Sequence, residues 1–387
     1  MKRDVFLLFL TKIVRTFSYG FLGVLFPIYL TSLGADAPVL GIAITLTLLC
    51  SAAFTYGIRQ PGETYGIKPV LLTLSLMTLF SAILFLLFKN PIGVIAAAML
   101  GNLAVGTGET GPFLSLEQVL LSREVSREKL TTAMSLYNLV GYVAAALGAS
   151  FVGQFGNKST LFFILFLCGS LVQLLLYSFL GSERLMRKNE IKVLEKNNES
   201  LIRKIATLFA LDSFAGGFIL QSIVIYWFQQ KFDLKIHTLG WISFGTQLLS
   251  GLSFLMAPSL SKKIGLVNAM VFSHLISNFL LIGVGFAPTA PLAITFLFLR
   301  HLLSQIDVPT RQTFLMLAVE DSEREKAASV TNMSRTLSQA VSPALTGWIL
   351  QCMSLSTPFL IGGSLKALYD LSLYISIRRH KIHHSPL

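Results

Sequence analysis

Five charged residues of this sequence lie inside long apolar stretches, where a charge is costly. They are Arg15, Glu109, Asp212, Arg300 and Asp307. An ionisable side chain in a hydrocarbon environment costs about 2.5–3.5 kcal/mol, so each of them needs a partner, water or a function. A buried carboxylate that loses a neighbouring arginine tends to take up a proton. These five residues are therefore our candidates for substrate binding and proton coupling.

The composition indicates which elements hold these charges. Of 387 residues, 53% are hydrophobic and 13% are charged, whereas about a quarter of the residues in soluble domains are charged. This balance excludes a soluble enzyme and a DNA-binding protein with a small anchor. Apolar runs of about 20 residues predict an all-α, polytopic membrane protein with twelve transmembrane helices. We place these crossings at 5–31, 38–58, 68–88, 91–120, 130–153, 159–181, 204–229, 238–260, 266–287, 290–317, 327–351 and 357–378.

The basic residues predict the orientation of these crossings. Of 31 lysines and arginines, 21 fall on the even-numbered loops and the two tails, and four fall on the opposite side. Because basic residues stay in the cytoplasm, this ratio predicts a multi-pass protein of the cell inner (plasma) membrane with both termini cytoplasmic. No loop interleaves basic and aromatic residues, so we expect no binding of nucleic acid.

An internal repeat divides the chain into two related halves. A shift of 197 residues aligns Gly20-Phe21 with Gly217-Phe218, Pro112 with Pro309, and Arg127-Glu128-Lys129 with Arg324-Glu325-Lys326. Six crossings per repeat make the two repeats parallel, related by an axis along the membrane normal. The sequence therefore predicts an N-terminal bundle at 1–181, a cytoplasmic linker at 182–203 and a C-terminal bundle at 204–387.

Three segments resemble twelve-helix prokaryotic permeases of the major facilitator superfamily. They are GPFLSLEQVLL (111–121), MSLYNLVGYVAAALGA (134–149) and QIDVPTRQTFLMLAV (305–319). The resemblance covers essentially the whole chain. It implies two six-helix bundles that alternate access to a central cavity lined by crossings 1, 4, 7 and 10. It leaves the substrate open, because this superfamily carries sugars, drugs, peptides, ions and lipids.

The loop between crossings 2 and 3 departs from the pattern of that superfamily, which reads G-x-x-x-D-R-x-G-R-K. Glu63 and Gly66 can replace the acidic residue and the glycine, but Thr64 and Ile67 occupy two basic positions. We therefore expect a gate that is built differently. The candidate gating residues are Glu63, Gly66, Glu117, Arg311 and Arg335, of which Glu117 and Arg335 lie near cytoplasmic helix ends.

The partners of the buried charges stay open at the level of sequence. Asp212 is the first candidate partner of Arg15, because the repeat aligns the two positions, and Glu109 is the second. Such a pair either exchanges partners during transport or permanently joins the two halves. Arg300 either holds an anionic group of the substrate or pairs with Asp307 or Glu109.

Two further pairs have the spacing of one helical turn. Arg311 is four residues after Asp307, and Asp370 is four residues after Lys366, so we expect two local ion pairs with structural roles. Polar and aromatic residues of crossings 1 and 7 can line the cavity or pack in the core. These lining candidates are Tyr19, Tyr29, Gln221, Tyr226 and Trp227.

Together these patterns predict a secondary transporter of a small solute, driven by a proton gradient and working in export. Uptake, facilitated diffusion and, less favoured, a non-transporting membrane sensor are the alternatives. We expect no enzymatic activity and no cofactor. Residues 106–111 match G-x-G-x-x-G, but they lie late in an apolar helix and follow no strand. We expect the protein to be a monomer.

Overall fold

The computed structural model of the protein describes residues 3–104, 111–125, 127–156, 158–181, 199–319 and 324–379. Within these ranges the secondary structure is helical throughout and contains no strand. The helices are α1 Arg3–Ser32, α2 Ala37–Gly57, α3 Arg59–Tyr65, α4 Ile67–Leu87, α5 Pro91–Leu100, α6 Pro112–Glu124, α7 Arg127–Phe155, α8 Ser159–Ser178, α9 Glu199–Gly217, α10 Gln221–Phe232, α11 Ile236–Ile264, α12 Leu266–Phe286, α13 Ala290–Ser304, α14 Asp307–Ala318, α15 Arg324–Cys352 and α16 Thr357–Arg379.

These helices confirm the all-α membrane fold that hydropathy predicts. In the described part of the chain, nine helical segments are long and apolar enough to cross a bilayer, and α5 and the apolar part of α6 are shorter. Helices α15 and α16 occupy the positions of the last two predicted crossings. They are less apolar because they carry buried polar groups such as Thr331, Lys366 and Asp370.

Three predicted crossings are interrupted, so their prediction as continuous helices was wrong. Between α5 and α6 the backbone turns at Asn102, whose φ is 50°. Between α9 and α10 the amide of Phe218 bonds to the carbonyl of Ala215 in a tighter turn. Between α13 and α14 only Gln305 and Ile306 separate the two helices. Glycine and polar residues at these breaks lower the cost of leaving the helix.

The internal repeat is visible in the way that the helices pack. A Cβ atom on Gly20 of α1 would lie 2.0 Å from the carbonyl oxygen of Ala145 on α7. A Cβ atom on Gly217 of α9 would lie 2.0 Å from the hydroxyl of Ser342 on α15. Both members of the second pair are 197 residues after those of the first. The same close helix approach, which only glycine permits, therefore occurs once in each repeat.

The chain forms two compact units whose boundary differs from the predicted bundles. The first unit contains Met1–Glu190 and Leu220–Leu248, and the second contains Ile191–Ile219 and Leu249–Leu387. Leu220–Leu248 joins the first unit because α10 packs on α1 and because Gly240 of α11 meets the backbone of Gly153 on α7. Most of the predicted linker lies outside the described residues.

Candidate functional site

The first unit contains a buried cluster around Glu117, which we call the Glu117 cluster. It comprises Thr11 and Arg15 of α1, Glu117 of α6, Tyr137 of α7 and Tyr177 of α8. Arg15 forms an ion pair with Glu117 through Nη2 and Oε2, and its Nη1 also donates to the Tyr177 hydroxyl at 2.8 Å. Tyr177 and Thr11 each donate to Oε1 of Glu117 at 2.7 Å, and Tyr137 donates to Oε2.

The Glu117 cluster is a saturated ion pair. The side chains of Arg15 and Glu117 are 1% and 0% exposed, and donors from four side chains occupy both oxygens of the carboxylate. The Arg15 guanidinium also lies over the Phe113 ring, with Cζ 4.9 Å from the ring centroid. The carboxylate of Glu117 and the guanidinium of Arg15 neutralise each other, and the described contacts join four helices at one point. Such an arrangement stabilises the bundle, and removal of either charge strands the other.

This cluster changes the interpretation of Arg15 and Glu117. Glu117 is a fully buried partner of Arg15 and lies in the second turn of α6, whereas the sequence suggested a gating residue near a helix end. The partner that the sequence favoured for Arg15, Asp212, has partners of its own in the second unit. The proposed exchange of partners between Arg15 and Asp212 stays a prediction. Glu109, the second candidate partner, lies outside the described residues.

The second unit contains a larger buried network around Asp212, which we call the Asp212 network. Its charged members are Asp212 of α9, His274 of α12, Asp307 and Arg311 of α14, and Lys366 and Asp370 of α16. Each of these residues is at most 7% exposed.

Two cations of this network share two of its carboxylates. Lys366 Nζ lies 2.5 Å from Asp212 Oδ1. Arg311 Nη1 lies 3.3 Å from Asp212 Oδ2 and 2.7 Å from Asp307 Oδ2. The Arg311–Asp307 pair confirms the prediction from one-turn spacing. The Lys366–Asp370 prediction was wrong, because Asp212 from α9 reaches Lys366 and Asp370 turns to α12.

The third carboxylate, Asp370, has a histidine and an asparagine as its partners. It is 1% exposed, and among the described residues no lysine or arginine forms an ion pair with it. His274 Nδ1 lies 2.8 Å from Asp370 Oδ1, and Asn278 Nδ2 donates to Oδ2 at 2.8 Å. On its other side, His274 Nε2 lies 3.8 Å from Asp212 Oδ1. His274 thus stands between two buried carboxylates.

Arg335 of α15 lies at the edge of this network. Its Nε donates to the hydroxyl of Ser213 at 3.1 Å, next to Asp212 in the chain. It therefore joins α15 to α9 inside the second unit, and its proposed role in gating stays a prediction.

Sequence reasoning missed His274, Asn278, Tyr137 and Tyr177. His274 and Asn278 were detectable, because both are polar residues in the middle of an apolar helix and such residues need partners. The two tyrosines gave no such signal, since a tyrosine in an apolar run usually packs its ring.

Arg300 is placed differently from the other intramembrane charges. It lies half-buried on α13, and its Nη1 donates to His301 Nε2 at 3.2 Å. His301 is 2% exposed, and its Nδ1 lies 3.0 Å from the Ser250 hydroxyl. No carboxylate of the described residues forms an ion pair with Arg300, so the suggested pairing with Asp307 was wrong. Asp307 is bound by Arg311 instead.

The predicted lining residues lie mainly in packed positions. Gln221 is buried and donates to the hydroxyls of Ser243 and Thr246 at 3.2 Å. Trp227 is fully buried and packs edge-on against Phe228 and Phe232. Tyr29 is half-buried and packs edge-on against Phe163, and Tyr19 and Tyr226 are buried.

The loop between the second and third crossings contains the short helix α3. Gly66 follows this helix with a φ of 92°, a conformation that other residues rarely adopt. It turns the chain from α3 into α4. The side chain of Glu63 lies outside the described residues.

Two membrane-spanning helical repeats with buried ion pairs at their centres define a polytopic transport protein. The sequence profile of the Major Facilitator Superfamily matches residues 8–211 and again 205–386. The chain belongs to the Major Facilitator Superfamily, a family of secondary transporters and not of enzymes, which act on small-molecule substrates in a membrane.

Known relatives agree with this assignment. A membrane protein of Saccharomyces cerevisiae, described as uncharacterized, is 25% identical over 417 positions and spans 96% of this chain and 93% of its own length. The structure of the nucleoside transporter NupG is similar, with a TM-score of 0.75, 14% identity and coverage of 98% and 100% of the two chains. The structure of a D-xylose-proton symporter has a TM-score of 0.74 at 12% identity and covers 96% of this chain and 97% of its own. These structural similarities establish the shared fold.

Proposed function

We propose that this protein is a proton-coupled secondary transporter of a small solute that works by alternating access. Export is the proposed direction, with uptake and facilitated diffusion as alternatives. The proton gradient is the proposed energy source, and the protein is proposed to act as a monomer in the cell inner membrane with both termini in the cytoplasm. The observation that carries the proton coupling is the His274–Asp370 pair.

Burial is the first argument for a proton at this pair. A carboxylate at 1% exposure without a bound cation pays a large desolvation cost while it is ionised. Its nearest titratable partner is His274, whose Nδ1 lies 2.8 Å away. A proton shared between the two groups removes most of this cost. The pair is therefore suited to bind and release one proton.

The position of His274 is the second argument. When His274 is neutral and donates through Nδ1 to Asp370, its Nε2 directs a lone pair towards Asp212 Oδ1 at 3.8 Å. When Nε2 also carries a proton, the same contact becomes attractive. Protonation of His274 would therefore compete with Lys366 and Arg311 for Asp212. This competition links proton binding to the contacts among α9, α12, α14 and α16.

A seam between the two repeats supports alternating access. Ser222 of α10 donates to the carbonyl of Gly23 on α1 at 3.2 Å. His237 of α11 donates to the carbonyl of Gly153 on α7 at 3.0 Å. Both contacts lie within the first unit. Contacts of this kind must break if the proposed alternating access opens the protein at this point.

The experiment that tests the proposal uses purified protein in proteoliposomes that contain a pH-sensitive dye. A panel of sugars, nucleosides, amino acids, organic acids and organic cations is added under an imposed solute gradient. We expect at least one solute to move protons, and the sign of the pH change gives the direction of coupling. Solute flux without any proton movement would reject coupling, and the absence of flux across the panel would count against transport.

The matched variants are Asp370→Asn and Asp233→Asn. Asp370→Asn keeps the shape of the side chain but removes its charge. Asp233→Asn makes the same chemical change at an exposed residue whose φ of 51° asparagine tolerates. Solute-driven proton movement should fall at least tenfold in the first variant and stay unchanged in the second.

A further inference from the structure

Arg300 and His301 form a site that the Asp212 network does not use. Arg300 lies on α13 inside an apolar span that extends over Ala290–Gln312. The nearby carboxylates Asp212 and Asp307 are already bound by Lys366 and Arg311. Among the residues that the structure describes, no carboxylate forms an ion pair with the Arg300 guanidinium, although charged residues at this depth normally have such a partner.

The contacts of His301 fix its protonation state. Arginine can only donate, so His301 Nε2 must accept the hydrogen bond from Arg300 Nη1 at 3.2 Å. The ring proton then lies on Nδ1, which donates to the Ser250 hydroxyl at 3.0 Å. Ser250 is fully buried on α11. His301 is thus neutral, and the chain from Ser250 through His301 holds the guanidinium in one orientation.

Part of the Arg300 guanidinium is left without an acceptor. Its Nε is buried and has no hydrogen-bond partner in the described part of the chain. The edge formed by Nε and Nη2 offers two parallel N–H donors, which is the geometry that a carboxylate accepts in bidentate fashion. A buried donor needs an acceptor, and a bound carboxylate would supply one at this edge of the guanidinium.

We propose that Arg300, oriented by His301 and Ser250, binds the carboxylate group of the transported solute. The solute would then be an organic monoanion. A carboxylate fits better than a phosphate, because one guanidinium beside a neutral histidine balances a single negative charge. This inference rests on the proposed transport function and specifies its substrate class.

A binding experiment tests this site without requiring transport. The full-length protein in detergent is titrated with a panel of monocarboxylates that includes acetate, benzoate, nicotinate and gluconate, with the corresponding amides and with inorganic phosphate. Thermal stabilisation is measured, since a ligand that binds the folded state raises its melting temperature. We expect at least one carboxylate to bind roughly ten- to a hundredfold more tightly than its amide, the range typical of a charged hydrogen bond.

Arg300→Gln should abolish this preference, and Arg300→Lys should retain part of it, because lysine keeps the charge but lacks the planar fork. Arg203→Gln is the matched control, since that side chain is 73% exposed. Unliganded melting temperature and size-exclusion profile report whether each variant folds. Equal binding of carboxylates and amides, binding of phosphate alone, or a preference that survives in Arg300→Gln would overturn the proposal.

The result is separable from the test of transport. Carboxylate binding that depends on Arg300, without any flux in proteoliposomes, would support the site and reject the transport proposal. Flux of neutral solutes that Arg300→Gln leaves unchanged would support transport and reject the carboxylate site.

Discussion

The Glu117 cluster and the Asp212 network neutralise their buried charges in different ways. Arg15 and Asp212 occupy equivalent positions in the two repeats, yet one is a cation and the other a carboxylate. In the first repeat, a single carboxylate receives donors from Arg15, Thr11, Tyr137 and Tyr177. In the second repeat, three carboxylates share two ion-paired cations and a histidine. We propose from this difference that the first cluster holds the fold and that the second network carries the proton chemistry.

The physical basis of this division is the number of alternative partners. Each group in the Glu117 cluster has one favourable arrangement, so a change in protonation only weakens it. In the Asp212 network, Asp212 has three basic neighbours, and Asp370 has no fixed cation among the described residues. Asp212 thus has more than one basic partner within reach, and we propose that proton binding changes which of them it pairs with.

The largest effect that separates the two regions should come from Glu117→Gln. This change removes the negative charge that pairs with the Arg15 guanidinium, whose side chain is 1% exposed. We expect a loss of about 3–5 kcal/mol in the free energy of unfolding, because breaking a buried pair strands one charge. Chemical denaturation in detergent measures it. Glu199→Gln at a half-exposed position is the control, and a Glu117→Gln protein as stable as that control would show that the cluster does not hold the fold.

The next largest effect tests whether the helices pack in the same way in the two repeats, although their buried charges differ. Valine at Gly20 or at Gly217 places a Cβ atom 2.0 Å from its neighbour in each case. We expect both variants to lose about 1–3 kcal/mol of stability through overpacking. The thermal shift of the two variants, compared with Gly57→Ala at an open position, measures the effect. A loss in only one variant would show that the shared helix packing is not equivalent.

A smaller effect on stability is expected for Asp370→Asn. Asparagine keeps an acceptor for Asn278 and removes a charge that has no fixed cation. We expect the free energy of unfolding to change by less than about 1.5 kcal/mol, the scale of one hydrogen bond, whereas the proposed proton coupling should be lost. Chemical denaturation of Asp370→Asn and Glu117→Gln under the same conditions measures both free energies of unfolding and allows them to be compared directly. A loss of stability as large as that of Glu117→Gln would show that Asp370 holds the fold, as Glu117 is expected to do.

The smallest effect is expected at the exposed pair of Arg203 and Glu199. Their side chains are 73% and 48% exposed and lie 4.0 Å apart. Arg203→Gln should change the free energy of unfolding by less than about 0.5 kcal/mol, because water screens exposed charges. The same denaturation assay checks this value. A larger loss would mean that stability in this protein does not follow burial of charge.

The fold could be predicted from the sequence because hydropathy and the repeat act over long segments. A run of about twenty apolar residues that crosses a bilayer must form a helix, because its backbone groups need hydrogen bonds within the segment. The approximate positions of the crossings therefore follow from hydropathy. The breaks at Asn102 and Phe218 could not be predicted, because they depend on turns whose cost is offset by tertiary packing. The Arg311–Asp307 pair was predictable, since one helical turn fixes the distance between the two side chains.

The partners of Arg15, Lys366 and Asp370 could not be predicted in the same way. Their contacts join helices that are far apart in the chain, and they depend on helix rotation and depth, which hydropathy does not determine. His274 was the detectable omission, because a histidine in the apolar helix α12 is itself a sign of a buried polar partner.

The most direct test of the account measures protonation of the His274–Asp370 pair. Infrared difference spectra of the full-length protein in nanodiscs are recorded between pH 5 and pH 9, in the wild type and in Asp370→Asn, His274→Gln and Glu117→Gln. The account predicts carboxyl and imidazole bands that titrate in the wild type, disappear in Asp370→Asn and His274→Gln, and persist in Glu117→Gln where that protein folds. Spectra that Asp370→Asn and His274→Gln leave unchanged would contradict it.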